Sequence, residues 1–447
     1  MSFYGGFMQR LMLNKLLKWK EGKGRKPLLI KGVRQVGKTY LLKEFGRTHF
    51  PECHYFNFEK EPVLAKIFEL DLNPLRIIDE LSFHLNRSIN IATDLVIFDE
   101  IQEVPKALTS LKYFFEECPE LHICGAGSLL GIHLSPGSFP VGKVAFHTLR
   151  PMSFEEFLMA IEDDKSLQIM RKLTLTGKIS EIVHEHLWNR LKHYFIVGGL
   201  PEIVASYSEN KNNLFEAFSI VREKQDNLLK TYYADMAKHS GKINAMHIDR
   251  VFRSVPSQLQ QVQDGSIARF KFRGVIPGLT HYDRMAGAID WLEAAGLVIK
   301  VHIVNTGLLP FKGYAKENLF KLLLFDVGIL GSMSGLSPKA ILDYDYGSYK
   351  GYFAENFVAE EFLGSGEEDL FSWQENKAEV EFLIEVEGKT VPIEVKSGSV
   401  TKAKSLKVFS EKYKPPFQVI LSAKPLSIEE NRHYYPLYLA GFFPMPG

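Results

Sequence analysis

Cysteine and long apolar runs are the scarcest features of this sequence. The chain has 447 residues and three cysteines, Cys53, Cys118 and Cys124, and no two of them form a CxxC pair. A disulfide framework or a zinc site is therefore not expected, and a reducing compartment fits best. No run approaches the ~20 apolar residues of a membrane span, and the N-terminus lacks the regions of a secretion signal. We expect a cytoplasmic protein with no membrane partner.

An excess of charge of either sign is also missing. The formal net charge is +1, which by itself demands no nucleic-acid partner but leaves room for a local basic face. The hydrophobic share of 45% and the charged share of 24% are ordinary for a globular protein. The length exceeds what one hydrophobic core usually serves, so two or three domains are expected.

A phosphate-binding loop is the clearest motif. It matches G-x-x-x-x-G-K-[ST] at every fixed position, and its residues are Gly32, Val33, Arg34, Gln35, Val36, Gly37, Lys38 and Thr39. Glycines let the backbone turn so that successive N–H groups converge on phosphate oxygens, and a following helix adds its positive end. Lys38 would reach the β- and γ-phosphates, and the Thr39 hydroxyl would bind Mg²⁺. A strand pattern precedes the loop and a helix pattern follows it, which disfavours a chance glycine-rich turn.

A second acidic element ends the apolar strand predicted at residues 94–98. Asp99 is placed to hold Mg²⁺, and Glu100 is placed to orient and polarise the attacking water. Many buried strands end in acidic turns, so this pattern alone is weak. It gains weight because a phosphate loop precedes it by two strand–helix units.

A third predicted strand, at residues 121–124, leads to Ser128. This serine is the candidate polar sensor near the γ-phosphate, with an ordinary turn serine as the alternative. Lys143 and Arg150 are candidates for an activating cation, or ordinary surface charges. The alternation of strands and helices predicts a mostly parallel sheet covered on both faces.

The texture of the sequence changes after residue 150. Residues 153–238 are rich in helical patterns, and the stretch to about residue 330 has the helix–helix–hairpin order of a winged helix. A helix at 352–363 and strands at 379–386 and 390–396 then indicate a second α/β unit. We predict domains at 1–150, 151–240, 241–330 and 331–447.

At this point the sequence resembles a family of prokaryotic AAA+ ATPases whose members carry a C-terminal domain similar to the PD-(D/E)XK nucleases. The likeness covers nearly the whole chain. It is carried by residues 34–39, 98–102, 127–130, 149–157, 198–202, 291–292 with 295–297, 320–322 with 326–328, 355–358 and 393–398. The resemblance implies an ATPase core, a helical lid, a winged-helix-like segment and a restriction-endonuclease-like α/β domain. At Gly142-Lys143 relatives often have Gly-Arg, and lysine lacks the bidentate geometry of an arginine finger.

Four C-terminal residues match what this resemblance implies for a nuclease site. Such a site needs two or three carboxylates around Mg²⁺ and a lysine near the attacking water, and the candidates are Glu355, Glu381, Glu394 and Lys396. Strand periodicity puts Glu394 and Lys396 on one face. The family usually has Asp where this chain has Glu381. A solvated sheet face, or a nuclease fold retained for binding only, would also explain the pattern.

A short basic stretch offers phosphate contacts in the winged-helix-like region. Cations alternate with aromatic residues there, and the set is Arg269, Phe270, Lys271, Phe272, Arg273 and Arg284. The simpler reading makes the aromatic residues the buried face of a strand. DNA or RNA is therefore a partner to be tested.

Three functions fit these patterns. The first is a Mg²⁺-dependent ATP-hydrolysing enzyme whose nucleotide state repositions or controls the C-terminal domains. The others are an ATP-gated metal-dependent nuclease, and a non-catalytic nucleotide switch that recruits a protein or nucleic acid. ATP is preferred to GTP because no guanine-reading N-K-x-D motif is present. A homo-oligomer is left open, since the activating cation of such ATPases usually comes from a neighbouring subunit.

Overall fold

The computed structural model describes residues 8–128, 142–240, 242–260, 269–399 and 403–446. Residues 129 and 130 of the family-like segment at 127–130 lie outside this part of the chain. The chain divides into two compact units, one of Met1–Arg150 with Ala294–Gly296 and one of Pro151–Glu293 with Leu297–Gly447. None of the described helices combines the length and the apolar character needed to cross a bilayer.

The first unit is built on five strands that all run parallel. Its helices are α1 (Met12–Glu21), α2 (Lys38–His49), α3 (Pro74–Leu85) and α4 (Pro105–Glu117), with 3-10 turns at Pro62–Phe68 and Ile101–Glu103. Its strands are β1 (Leu28–Gly32), β2 (Cys53–Asn57), β3 (Leu95–Asp99), β4 (His122–Ser128) and β5 (Ala145–Thr148), in the order β2-β3-β4-β1-β5. The predicted parallel sheet is confirmed.

Burial along β3 shows why this sheet forms. Every residue of the strand is buried, as expected of a parallel strand covered on both faces. Val96 and Phe98 join a core cluster with α3 and α4, and Phe98 packs against the rings of Phe68 and Phe114. Because parallel strands end at one edge, the carboxyl ends of β1 to β4 meet there, where ligands of open α/β sheets bind.

The second unit combines many helices with one eight-stranded sheet. Its helices are α5 (Phe154–Ala160), α6 (Asp164–Lys172), α7 (Glu181–Val197), α8 (Pro201–Asn210), α9 (Leu214–Ser240), α10 (Lys242–Gln260), α11 (Ala286–Ala294), α12 (Val327–Met333), α13 (Pro338–Leu342), α14 (Tyr349–Ser365) and α15 (Lys404–Tyr413), with 3-10 turns at Tyr282–Arg284, Phe311–Tyr314 and Leu437–Phe442. Its strands are β6 (Val298–Val304), β7 (Phe320–Leu324), β8 (Leu370–Glu375), β9 (Ala378–Val386), β10 (Lys389–Val395), β11 (Gln418–Ser422), β12 (Ser427–Glu429) and β13 (Arg432–Pro436).

This sheet crosses one of the predicted domain boundaries. Its order is β12-β13-β11-β10-β9-β8-β6-β7, and β6 pairs with β8 in parallel. The antiparallel hairpin β6–β7, which the sequence assigned to the winged-helix-like segment, is therefore continuous with the strands after residue 331. The division of residues 151–447 into three domains stays a prediction.

Asp326 anchors two of the family-like segments to each other. Its buried carboxylate accepts hydrogen bonds from the backbone N–H of Gly199, at 2.7 Å, and from that of Ile329, at 2.9 Å, and so caps α12. Burial raises the pKa of Asp326 to about 6, while its backbone hydrogen bonds oppose that shift. Gly198 has a φ of 74°, and a Cβ there would lie 2.2 Å from Asp326 Oδ1. The glycines at 198 and 199 and the aspartate at 326 thus have a structural role, which is to pack these two segments together.

Replacing Gly198 tests this anchor. Gly198→Ala should lower the free energy of unfolding by about 1–3 kcal/mol, because alanine adds both backbone strain and a clash with the Asp326 carboxylate. The matched control is Gly364→Ala in α14, where a Cβ meets nothing within 4 Å and alanine should stabilise the helix by up to ~1 kcal/mol. Urea unfolding followed by circular dichroism measures both, and equal effects of the two changes would contradict the anchor.

Candidate nucleotide-binding site

The loop predicted to bind phosphate joins the end of β1 to the start of α2. Gln35 and Gly37 have φ values of 62° and 95°, so the chain turns sharply before the helix begins at Lys38. A Cβ at Gly32 would lie 2.3 Å from the Leu149 carbonyl oxygen, so glycine is required beside the chain leaving β5. The positive end of the α2 dipole therefore lies at the loop.

Lys38 lies inside this loop. Its Nζ donates to the carbonyl oxygens of Gly32, at 2.9 Å, and Val33, at 3.1 Å, and the residue is 7% exposed. Burial lowers the pKa of Lys38 to about 8, against the charges of Glu100 and Asp99, which raise it. The ammonium group is thus desolvated, and its hydrogen-bond partners among the described residues are neutral carbonyl oxygens, which prepares it to exchange them for an anion.

The carboxylate of Asp99 accepts hydrogen bonds from side chains of two neighbouring segments. Its Oδ2 accepts hydrogen bonds from the Thr39 hydroxyl at 2.9 Å, the Tyr55 hydroxyl at 2.6 Å and Asn57 Nδ2 at 3.3 Å. Its Oδ1 accepts the backbone N–H of Glu100 at 3.1 Å. This arrangement joins the end of β3 to the loop and to the end of β2.

The pair Thr39 and Asp99 passes a test for Mg²⁺. Mg²⁺ takes oxygen ligands in an octahedron at about 2.0–2.1 Å, which separates neighbouring ligand oxygens by about 2.9 Å. The hydroxyl and carboxylate oxygens of this pair are 2.9 Å apart. Both residue types and their separation fit the ion.

Glu100 is held in place directly after Asp99. Its backbone has a φ of 51°, an uncommon conformation for a residue other than glycine, and it begins the 3-10 turn Ile101–Glu103. Gln102 Nε2 donates to Glu100 Oε2 at 2.6 Å. Burial raises the pKa of Glu100, and the Asp99 charge adds to that rise. A partly buried carboxylate of this kind is suited to accept a proton from water.

The other residues predicted in this unit are the sensor Ser128 and the candidate cations Lys143 and Arg150. The ladder of β1 and β4 pairs Ser128 with Gly32, so the backbone of the proposed sensor is next to the first loop residue. Lys143 forms an ion pair with Glu116 at 3.1 Å. Arg150 is partly buried, which lowers its pKa.

Three supporting residues were missed by the sequence reasoning. Tyr55 and Asn57 contact Asp99, and Asn57 carried a usable signal because it ends a strand at the edge where ligands bind. Arg10 is buried and donates to the Val36 carbonyl oxygen at 3.0 Å and to that of Arg150 at 2.6 Å. Nothing in the local sequence marked Arg10, since its partners are 26 and 140 residues away.

In the second unit, the predicted carboxylates form a cluster with two lysines. The carboxylate–lysine cluster comprises Lys321, Glu355, Glu379, Glu381, Glu394 and Lys396. Lys321 is 5% exposed, and its Nζ lies 2.8 Å from Glu355 Oε1 and 2.5 Å from Glu379 Oε1. Lys396 Nζ lies 2.5 Å from Glu394 Oε1 and 3.9 Å from Glu381 Oε1. Lys321 and Glu379 were not among the predicted site residues.

This cluster does not fit a metal ion as it is arranged. Burial raises the pKa values of Glu381 and Glu394, and the Glu394 charge adds to the rise at Glu381. The two lysine ammonium groups supply the positive charge that a divalent ion would bring. Within the part of the chain that the structure describes, no group of three or more His, Cys, Asp or Glu is arranged to hold a metal.

Comparisons with known proteins agree with the geometry of the first unit. Residues 24–158 match a family model described as an AAA domain. Residues 189–340 and 350–440 match models described as domains of unknown function, DUF8612 and DUF4143. A comparison with curated proteins finds no match for the chain.

Solved structures with some likeness to part of the chain include the following three. The Walker-type ATPase PABY2304 of Pyrococcus abyssi is 14% identical, with a TM-score of 0.45 over 73% of this chain and 96% of that one. Orc1 of Aeropyrum pernix in complex with DNA is 13% identical, with a TM-score of 0.29 over 74% and 92%. AMPPCP-bound DnaA of Aquifex aeolicus is 15% identical, with a TM-score of 0.30 over 65% and 89%. These values carry no further argument, and the family match, described as an AAA domain, is confined to residues 24–158.

Proposed function

We propose that the protein binds Mg-ATP at residues 32–39, hydrolyses it, and uses the nucleotide state to control a nucleic-acid-binding second unit. The observation that carries the proposal is the contact of Thr39 with Asp99 beside a buried Lys38. An AAA domain match over the same residues supports it. A cytoplasmic location and assembly into a homo-oligomer are part of the same proposal.

Each residue of this site has a role in the proposed reaction. Lys38 exchanges its two carbonyl partners for oxygens of the β- and γ-phosphates, where a charge-assisted hydrogen bond is stronger. Thr39 and Asp99 would hold Mg²⁺, which would neutralise charge on the phosphate oxygens. Glu100 orients the attacking water and accepts its proton, and Gln102 fixes the Glu100 carboxylate. Ser128 serves as the polar sensor at the loop.

We favour binding over cleavage for the second unit. The two lysines already neutralise part of the carboxylate–lysine cluster, through Lys321 with Glu355 and Lys396 with Glu394, although Glu394 Oε2 has no hydrogen-bond partner among the described residues. The ATP-gated nuclease, with Glu355, Glu381, Glu394 and Lys396 as its site, is the alternative. The non-catalytic switch is disfavoured by Glu100, which stands where a water-activating acid is needed.

Substitutions in the loop and after β3 test hydrolysis. Lys38→Ala should abolish nucleotide binding because it removes the ammonium group that meets the phosphates. Glu100→Gln should keep binding and lower kcat by about 10²–10⁴-fold, because the general base is lost. Steady-state phosphate release and binding of a fluorescent ATP analogue measure the two effects.

The matched control for hydrolysis is Glu103→Gln. Glu103 is an exposed acid on the same 3-10 turn and should not alter kcat. Unchanged turnover in the Lys38 and Glu100 variants would remove the proposal. Tight nucleotide binding with no turnover in the unsubstituted protein would favour the switch instead.

The lowered pKa of Lys38 predicts how ATP affinity depends on pH. Below about pH 8 the free site is protonated, so affinity should be constant there. Above this pH, binding must take up a proton because the phosphates favour the ammonium form, and the Kd should rise by up to tenfold per pH unit. Titrations with a non-hydrolysable ATP analogue and Mg²⁺ from pH 7.5 to 9.5 measure it.

Lys38→Arg is the control for this pH dependence. Arginine keeps its charge throughout the range, so any affinity that remains should not change with pH. Calorimetry in buffers of different ionisation enthalpy should detect proton uptake at pH 9 only when lysine is present. A pH-independent Kd in the unsubstituted protein would contradict the assigned role of Lys38.

The carboxylate–lysine cluster gives a test of binding against cleavage. We expect no cleavage of DNA or RNA with Mg²⁺ or Mn²⁺ that depends on Glu394 or Lys396, since lysines occupy the cluster. Glu394→Ala and Lys396→Ala are compared with Glu385→Ala, an exposed glutamate on β9. Metal-dependent cleavage that Glu394→Ala abolishes and Glu385→Ala retains would establish the nuclease alternative.

A further inference from the structure

Residues 269–273 form a basic–aromatic segment whose cationic side chains are exposed or half-buried. Cations stand at alternate positions, Arg269, Lys271 and Arg273, with Phe270 and Phe272 between them. Arg269 and Arg273 are exposed and Lys271 is half-buried. Among the described residues none of the three cations forms an ion pair, whereas many other cations of the second unit do. Three positive charges are therefore concentrated on five residues, and the part of the chain that the structure describes supplies no ion-pair partner for them.

The backbone of this segment is fixed from two sides. Phe270 N–H donates to the Phe320 carbonyl oxygen of β7, an edge strand of the eight-stranded sheet, at 2.8 Å. The Gln258 amide of α10 binds both backbone groups of Lys271, accepting its N–H at 2.8 Å and donating to its carbonyl oxygen at 2.7 Å. The cations are thus presented by an ordered backbone, which lowers the entropic cost of binding.

The segment lines a cavity of about 490 Å³. The other lining residues are Thr280 and Asn318, so the wall contains cations, aromatic rings, a hydroxyl and an amide but no acidic side chain. This volume lies within the range of small-molecule and nucleotide pockets, about 300–1,000 Å³. The composition of the wall selects an anionic ligand that also offers a flat surface.

Phe272 supplies the aromatic ring on which the flat part of such a ligand can stack. Its ring packs against those of Phe270, Tyr282 and Phe320, with centroids 5.4, 5.8 and 5.9 Å away, yet the residue is only half-buried. A half-exposed aromatic ring that neighbouring rings hold in place is a usual platform on which an unpaired base stacks. Bases in a duplex are already stacked on each other and cannot use it.

We propose that this cavity binds single-stranded nucleic acid, with phosphates at Arg269, Lys271 and Arg273 and a base against Phe272. The proposal deepens, and rests on, the proposed nucleic-acid-binding function by giving it a place and a strand class. An acidic peptide would be attracted by the same cations but would gain nothing from Phe272. The two parts of the wall therefore make separable contributions to affinity.

The test is binding of a fluorescein-labelled strand of 20 thymidine nucleotides, measured by anisotropy at several salt concentrations with no ATP or ADP added. Combined Arg269→Ala, Lys271→Ala and Arg273→Ala should weaken binding at least about tenfold and reduce the slope of log K against log salt by about 2. Phe272→Leu should weaken it about 5- to 100-fold with the slope unchanged. A duplex of the same length should bind more weakly and be insensitive to Phe272→Leu.

The matched control combines Lys165→Ala, Lys172→Ala and Lys178→Ala, which remove the same charge from exposed positions of the same unit. It should leave the affinity within about twofold, and circular dichroism checks that every variant is folded. Equal loss in both triple variants would overturn the proposal, as would full competition by poly-glutamate together with insensitivity to Phe272→Leu. Because neither ATP nor ADP is added, these outcomes do not depend on whether the protein hydrolyses ATP.

Discussion

The first unit depends on one carboxylate oxygen, Asp99 Oδ2. Thr39 from the phosphate loop and Tyr55 and Asn57 from β2 all donate to it, so a single acceptor ties the start of α2 to the ends of two strands. A buried carboxylate is costly unless such donors satisfy it. The same oxygen would be a ligand for Mg²⁺ in the proposed reaction, and the ion would then replace some of these hydrogen bonds. In the proposed reaction, Asp99 is therefore the residue through which a bound nucleotide would act on the rest of the unit.

Local pattern was enough for the elements that carry the loop but not for their neighbours in the sheet. The apolar strand before Gly32 and the acidic strand end at Asp99 were visible, because each is a short buried run with a punctuating residue. Strand β2 and helix α3 were not recognised, although β2 brings Tyr55 and Asn57 to the site. The pairing of β6 with β8 was equally hidden, since it joins residues nearly 70 positions apart by sheet register alone.

Site residues divide in the same way. Lys38, Thr39, Asp99 and Glu100 were proposed from spacing, because their chemistry fixes residue type and position, and the structure brings them together. Lys321 was not proposed as a site residue, because its partners are 34 and 58 residues away. A single lysine within an otherwise apolar strand does not by itself indicate a site. Long-range charge pairs leave almost no trace in one sequence.

The two buried lysines show how similar burial leads to opposite roles. Lys38 faces backbone carbonyls and its pKa falls to about 8, while Lys321 faces carboxylates and its pKa rises. Within the described residues the Lys38 ammonium group donates hydrogen bonds only to backbone carbonyl oxygens, so a phosphate would stabilise it. The second already has its anions, and displacing it would expose carboxylates that are themselves costly to leave unpaired. We therefore propose anion binding at the loop of the first unit and at residues 269–273, whose cations form no ion pair with any described residue, and not at the carboxylate–lysine cluster.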